Sequence, residues 1–251
     1  MRLAALVVVL PLVAGAVILP GNGFANDLSQ FGSLMDSPLQ VLVPLIAAWL
    51  GCGALYAELG HRFLSSQRAR VGAGTLLTSR LVLSAVIPFL VLTAFVLVTY
   101  WLAFAFLPGV GDPFVNAALY PPPSAPGGIS DTMLFTWSQL TSNGDFVFGL
   151  AYAGWFGFCG AVYSSLTAGL LLILPNRAVA LVAPTVVLIV ETIAAALSGS
   201  PYGGLLYSMV PFALRQVPIL TAAAPTLILA AATVMVWFYI AAKRHDLHAL
   251  R

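Results

Sequence analysis

The sequence predicts an all-α polytopic membrane protein: six transmembrane helices, both termini cytoplasmic, and a re-entrant half-helix pair between spans five and six. Three observations predict it. Apolar residues make up 61% of the 251-residue chain and charged residues 7%, against roughly 25% charged in a soluble protein, too few to cover a water-facing surface. The apolar residues gather into six runs of bilayer-crossing length. The cations gather in the segments between alternate runs, as the positive-inside rule asks of cytoplasmic loops. These runs leave no room for a separate soluble domain, so residues 1–251 read as one transmembrane domain.

The first span, about 3–19, is of nearly the shortest length that crosses a bilayer. Arg2, this run and the Gly23-Phe24-Ala25 that follows also resemble a cleavable signal peptide; we expect the segment to be retained as a span. A polar connection with Asp27 and Asp36 leads to the second span, about 38–57. The third, about 81–107, is long enough to tilt, and Pro88 should kink it or mark its first turns. Residues 108–145 form a long extracellular segment in which Pro121-Pro122-Pro123 and Pro126-Gly127-Gly128 preclude regular helix. Within it, 129–141 is expected to make a short interfacial helix with Trp137 at headgroup level.

The fourth span, about 146–174, ends at a tight turn, Pro175-Asn176-Arg177, and the fifth covers about 178–197. Residues 198–221 are moderately apolar but broken by Pro201, Gly203, Gly204, Pro211 and Pro218, and they contain Arg215. Broken helix at membrane depth is tolerated where other protein shields it, hence the half-helix pair. The sixth span, about 222–242, ends in Trp237, Tyr239 and Lys243-Arg244-His245. With the amino terminus inside, Arg2, Arg62, Arg68, Arg70, Arg80, Arg177, Lys243, Arg244 and Arg251 all face the cytoplasm, and Asp27, Asp36, Asp112, Asp131 and Asp145 face the other side. Nine arginines to one lysine suggest a GC-rich bacterial source, placing the chain in a bacterial cell (inner) membrane.

Several chemistries are excluded. A P-loop needs a lysine before Ser or Thr to reach the terminal phosphates; the single lysine, Lys243, lies between Ala242 and Arg244, so ATP would have to be handled by another subunit. His61, His245 and His248 sit at span ends or in the tail, which argues against membrane haem, and no metal-ligand cluster is present in the sequence. Ser164 and Ser165 have no histidine at membrane depth to act as base. No catalytic set is expected, and we read the chain as a non-enzyme.

Four groups of residues stand out. Glu191 is the clearly intramembrane ionisable side chain; it either lines a pathway, pairs with Arg215, or makes a structural contact at the membrane edge. Tyr152, Trp155, Cys159 and Tyr163 share a side of the fourth span, and either line a cavity or pack as ordinary core. Gly149, Ala153, Gly157, Ala161, Ser165 and Gly169 recur at every fourth position, a stripe that lets another helix approach closely, from this chain or from a second copy. The fourth group is the basic loop, 58–80. Leu59, Phe63 and Leu64 with Glu58, His61, Arg62, Arg68 and Arg70 suit an amphipathic docking helix, broken by Gly72 and Gly74. Its cations serve equally to hold topology or to touch anionic lipid.

Six spans with both ends inside, a basic loop at 58–80 containing Arg70-Val71-Gly72-Ala73-Gly74-Thr75-Leu76-Leu77, and the broken segment 198–221 resemble the membrane (permease) subunit of a type-2 ABC exporter. The Arg70 stretch is similar to that family's Arg-x-x-Gly-Thr-Leu pattern. Two features depart from the family: little chain precedes the first span, and 108–145 is longer than the pattern has. The resemblance implies a permease dimer, or a pairing with a homologous permease, with ATP-binding subunits docked on the 58–80 loop and ATP and Mg held by those partners. The competing class is a non-transport membrane subunit (assembly, immunity or sensor) acting through 108–145. An ion-driven secondary transporter would want more intramembrane ionisable residues than Glu191.

Overall fold

The computed structural model describes residues 2–36, 38–60, 73–116, 131–212 and 216–243. It is all-helical, and six of its helices are long and apolar enough to cross a membrane: Leu3–Gly21, Gln40–Leu59, Thr78–Gly109, Asp145–Ile173, Arg177–Leu197 and Ile219–Ala242. The regular helices are α1 (Arg2–Ile18), α2 (Asp27–Met35), α3 (Val43–Gly60), α4 (Ala73–Trp101), α5 (Asp145–Ile173), α6 (Arg177–Leu197), α7 (Leu205–Met209) and α8 (Ile219–Ala242). Spans therefore fall within a few residues of where hydropathy places them. Both helices flanking the basic loop run further than hydropathy suggests. Consequently Glu58 ends α3, and Arg80 belongs to α4 instead of the loop.

The fourth span is the axis of the bundle. Of its apolar window 78% is buried, against 22–33% for the other five, which leave most of their surface for lipid. Small residues make this possible, because helices in hydrocarbon associate by close backbone packing and not by a hydrophobic drive between them. The first part of the stripe on α5 turns toward α4, and its end, Gly169, toward Val236 and Ile240 of α8. A Cβ added at Gly149 would sit 2.7 Å from the Tyr100 ring, and one at Gly157 would overlap the Thr93 hydroxyl and lie 2.7 Å from the Phe89 carbonyl oxygen. Ala153 between them is fully buried. Cys52 on α3 closes on the same axis, its thiol donating to the Ser164 carbonyl at 3.2 Å. Both cysteines, Cys52 and Cys159, are buried and unpaired.

At one end of the bundle the connections after spans one, three and five pack into a cap. Asn26 starts α2 with a reciprocal cap: its side chain accepts from Ser29 N at 2.8 Å, and Ser29 Oγ accepts from Asn26 N at 3.2 Å. Phe24 and Val115 form a parallel bridge, with Phe24 N donating to Phe114 O at 2.8 Å and Asn116 N donating to Phe24 O at 2.9 Å. Gln30, fully buried, donates to Asp112 Oδ2 at 2.8 Å. Gln139 donates to Val217 O at 3.0 Å, and Gln216 to Thr132 O at 2.6 Å, joining the second and third connections. Beneath these bonds Phe31 meets Phe148, Tyr152 and Phe212 edge-on at ring separations of 5.6–6.0 Å.

One expectation about this end needs correcting. The segment 129–141 does not form an interfacial α-helix; the described residues make 3-10 turns at Asp131–Met133 and Thr136–Asn143. Ser138, Thr141 and Ser142 donate to the carbonyls of Phe135, Ser138 and Gln139 at 2.6–2.8 Å, so their hydroxyls hold the tighter i−3 geometry. Trp137 is buried, packed on Trp155 at 5.5 Å and Tyr152 at 6.3 Å. Between spans five and six, the described residues form one regular helix, α7, preceded by a 3-10 turn at Pro201–Gly203; residues 213–215, with Arg215, lie outside the described ones.

Candidate functional site

Three of the polar groups the sequence singles out, Glu191, Tyr152 and Trp155, converge on α7. Span five ends in a left-handed glycine, Gly199 at φ 73°. There Ser200 N returns to Ala195 O and Gly199 N to Ala196 O, both at 3.1 Å, the double bond pattern that terminates a helix and reverses the chain. That reversal sends residues 200–209 back into the bundle. The residues that grip α7 lie about seven positions inside the ends of their own spans. At the 1.5 Å helical rise, α7 therefore sits roughly 10 Å below those ends.

Each end of α7 is held by side chains from a different span. A helix of five residues leaves most of its backbone donors and acceptors without internal partners. At its start, the Glu191 carboxylate of α6 accepts from Leu205 N at 2.6 Å, and Thr192 Oγ1 lies 3.4 Å from Leu206 N. A carboxylate there also meets the positive end of the helix dipole. At its finish, Tyr152 OH donates to Met209 O at 2.9 Å and Trp155 Nε1 to Ser208 O at 2.7 Å, both from α5. Ser208 Oγ is 2.8 Å from Thr226 Oγ1 of α8, and the Cys159 thiol approaches the same Thr226 oxygen at 3.9 Å. Spans four, five and six thus share one short helix through hydrogen bonds.

Of the four residues considered as pathway-lining, Glu191, Tyr152 and Trp155 are brought together here, and their polar atoms are spent on the α7 backbone. Tyr163 lies three turns deeper on α5, fully buried, its hydroxyl without a hydrogen-bond partner. Thr192, Ser208 and Thr226 complete the seat and were not singled out by sequence. Their only advance signal is a hydroxyl inside an apolar run, which is common in spans and carries little weight.

At the opposite end of the bundle the basic loop has a defined base. Arg80 Nη2 donates to Glu58 Oε1 at 2.7 Å and lies 2.6 Å from Oε2, with the two side chains 19% and 21% exposed. This ion pair ties the last turn of α3 to α4. The remaining docking candidates, His61, Arg62, Phe63, Arg68 and Arg70, lie outside the described residues. Ala161, further along the stripe of small residues, lines a groove between spans three, four and six. Among the described residues no cluster of His, Cys, Asp or Glu could hold a metal ion.

Compared with protein families, curated proteins and solved structures, the chain matches none. Fold and geometry define it as an integral membrane protein with six spans.

Proposed function

We propose that this chain is the permease subunit of an ATP-driven exporter in a bacterial cell membrane. It forms a translocation path with a second copy or a homologous permease, and separate ATP-binding subunits dock through the 58–80 loop. ATP and magnesium belong to those partners. Both termini and the basic loop then face the cytoplasm, as the distribution of cations favours.

The observation that carries this reading is the Arg80–Glu58 pair. A loop used only to hold topology needs charge but no rigid base. Here the two spans that bracket the loop are tied where the loop leaves the bundle, so a displacement of the loop moves spans two and three together. Coupling requires such a connection, because a partner can shift the spans only through contacts that differ between two states. The short helix held between spans five and six is the second point of support, since it corresponds to one member of the half-helix pair that the resemblance implies there.

The test is co-purification. Replacing Arg62 and Arg68 with glutamate is expected to abolish capture of a P-loop ATPase from the native membrane while leaving membrane insertion intact. Undiminished capture by that variant refutes the docking role. A second reading, a non-transport subunit working through 108–145, is favoured by the packed cap, whose inter-loop bonds from Gln30, Gln139 and Gln216 present a preformed surface. Under that reading the native-membrane eluate contains no ATPase, and its partner is lost when 131–143 is altered.

A further inference from the structure

The groove beside Ala161 has about 710 Å³ of volume, within the range of roughly 300–1,000 Å³ typical of ligand sites. Leu81 and Ala85 of α4, Phe158 and Val162 of α5, and Val234 and Phe238 of α8 line it. It opens sideways: Val234 is 52% and Phe238 71% exposed, on faces that a bilayer would cover. Two of its polar side chains are engaged within the protein: Trp237 Nε1 donates to Ser165 O at 3.1 Å, bridging α8 to α5, and Thr233 Oγ1 donates to Leu229 O at 2.8 Å. The rest of the lining is mainly hydrocarbon.

Ile240 and Ala241 are the last residues of α8 that line the groove, and Lys243 follows two residues later, just past the end of that helix. Lys243 is exposed and makes no ion pair among the described residues, whereas Arg80, on the neighbouring turn of α4, is already neutralised by Glu58. A long aliphatic stem lets such a lysine lie along the apolar wall with its ammonium at the membrane surface.

We propose that this groove holds an acyl chain of an acidic phospholipid whose headgroup is bound by Lys243. A largely hydrocarbon-lined cleft takes the chain, and the exposed Lys243, which makes no ion pair among the described residues, selects the negative headgroup over a zwitterionic one. The selection expected of one basic side chain near the surface is about fivefold. The inference is independent of the exporter reading, since it concerns which lipid the bundle keeps.

Trp237 is its reporter. The full chain is reconstituted into phosphatidylcholine vesicles containing a minority of phosphatidylglycerol, with bromine on the acyl chains of one lipid or the other. The Trp237 contribution is taken as the difference between the native chain and Trp237→Phe. Brominated phosphatidylglycerol should quench this contribution about fivefold more than its share of the lipid predicts. Lys243→Glu should remove the excess, and Lys243→Arg should keep it. Three outcomes overturn the proposal: quenching in proportion to mole fraction whatever the headgroup, an excess that survives Lys243→Glu, or a Trp237 that no brominated lipid reaches because a second copy covers the groove. Both lysine variants lie at an exposed helix end, and retained folding is checked by unchanged Trp237 quenching in vesicles of brominated phosphatidylcholine alone, where no second headgroup competes.

Discussion

Replacing Glu191 with alanine removes the acceptor of the Leu205 N–H, a 2.6 Å bond to a carboxylate at the start of a five-residue helix. Hydrogen bonds to charged groups contribute roughly 1.5–3 kcal/mol, and a free helix start inside the bundle has no water to replace the lost acceptor fully. The far end of α7 stays tied by Tyr152 and Trp155, so the helix should open locally and the bundle should not unfold. Hydrogen exchange followed by mass spectrometry, on protein in nanodiscs, reads this directly. Amides of 205–210 are expected to exchange about 10- to 150-fold faster, the factor that corresponds to that loss, while α5 and α8 stay protected. Glu191→Gln, which keeps an acceptor oxygen but not the charge, should give a smaller increase. Tyr152→Phe should add less than its own effect once Glu191 is gone, since both side chains hold the same element. Unchanged exchange at Leu205 and Leu206 in Glu191→Ala would refute the seat. So would a uniform rise across all six spans, because the carboxylate would then be supporting the whole fold.

Two further outcomes test the packing and the base of the loop. Gly157→Ala should lower thermal stability in detergent, by roughly 1–3 kcal/mol of overpacking, because the new methyl meets the Thr93 hydroxyl and the Phe89 backbone; Gly154→Ala, three residues away with nothing within 4 Å, should leave it unchanged or raise it. For the ion pair, Arg80→Glu and Glu58→Arg should each lower the melting temperature, and the combined charge swap should recover most of the loss. Breaking one partner of a fully buried pair costs roughly 3–5 kcal/mol, and the partial exposure here places the single variants at or below the lower figure.

The six spans and the tight turn at Asn176 were legible in the sequence because each is a local property. A run of apolar residues has to bury or reach lipid wherever it lies, and Asn176 caps α6 with its own side chain, accepting from Ala178 N and Val179 N. Trp137 shows where locality ends. Its sequence context suits a membrane boundary, but the neighbours that bury it, Tyr152 and Trp155, come from the next span, and the hydroxyls that set its 3-10 turn compete with the α-helix on nearly equal terms.

What the sequence alone determined is the class and the frame: an all-helical membrane chain, its span limits, and a scarcity of ionisable groups that made Glu191, Arg80 and Lys243 conspicuous. What only the tertiary structure decided is which partner each conspicuous group has. Glu191 meets a backbone N–H fourteen residues on; Arg80 meets Glu58; Lys243 makes no ion pair among the described residues and follows the last lining residues of a groove built from three spans. The physical reason is that hydropathy acts on a helix as a unit and is read one span at a time. A hydrogen bond or an ion pair depends on distances of about 3 Å between spans, and those exist only once the small residues of span four have let its neighbours close around it.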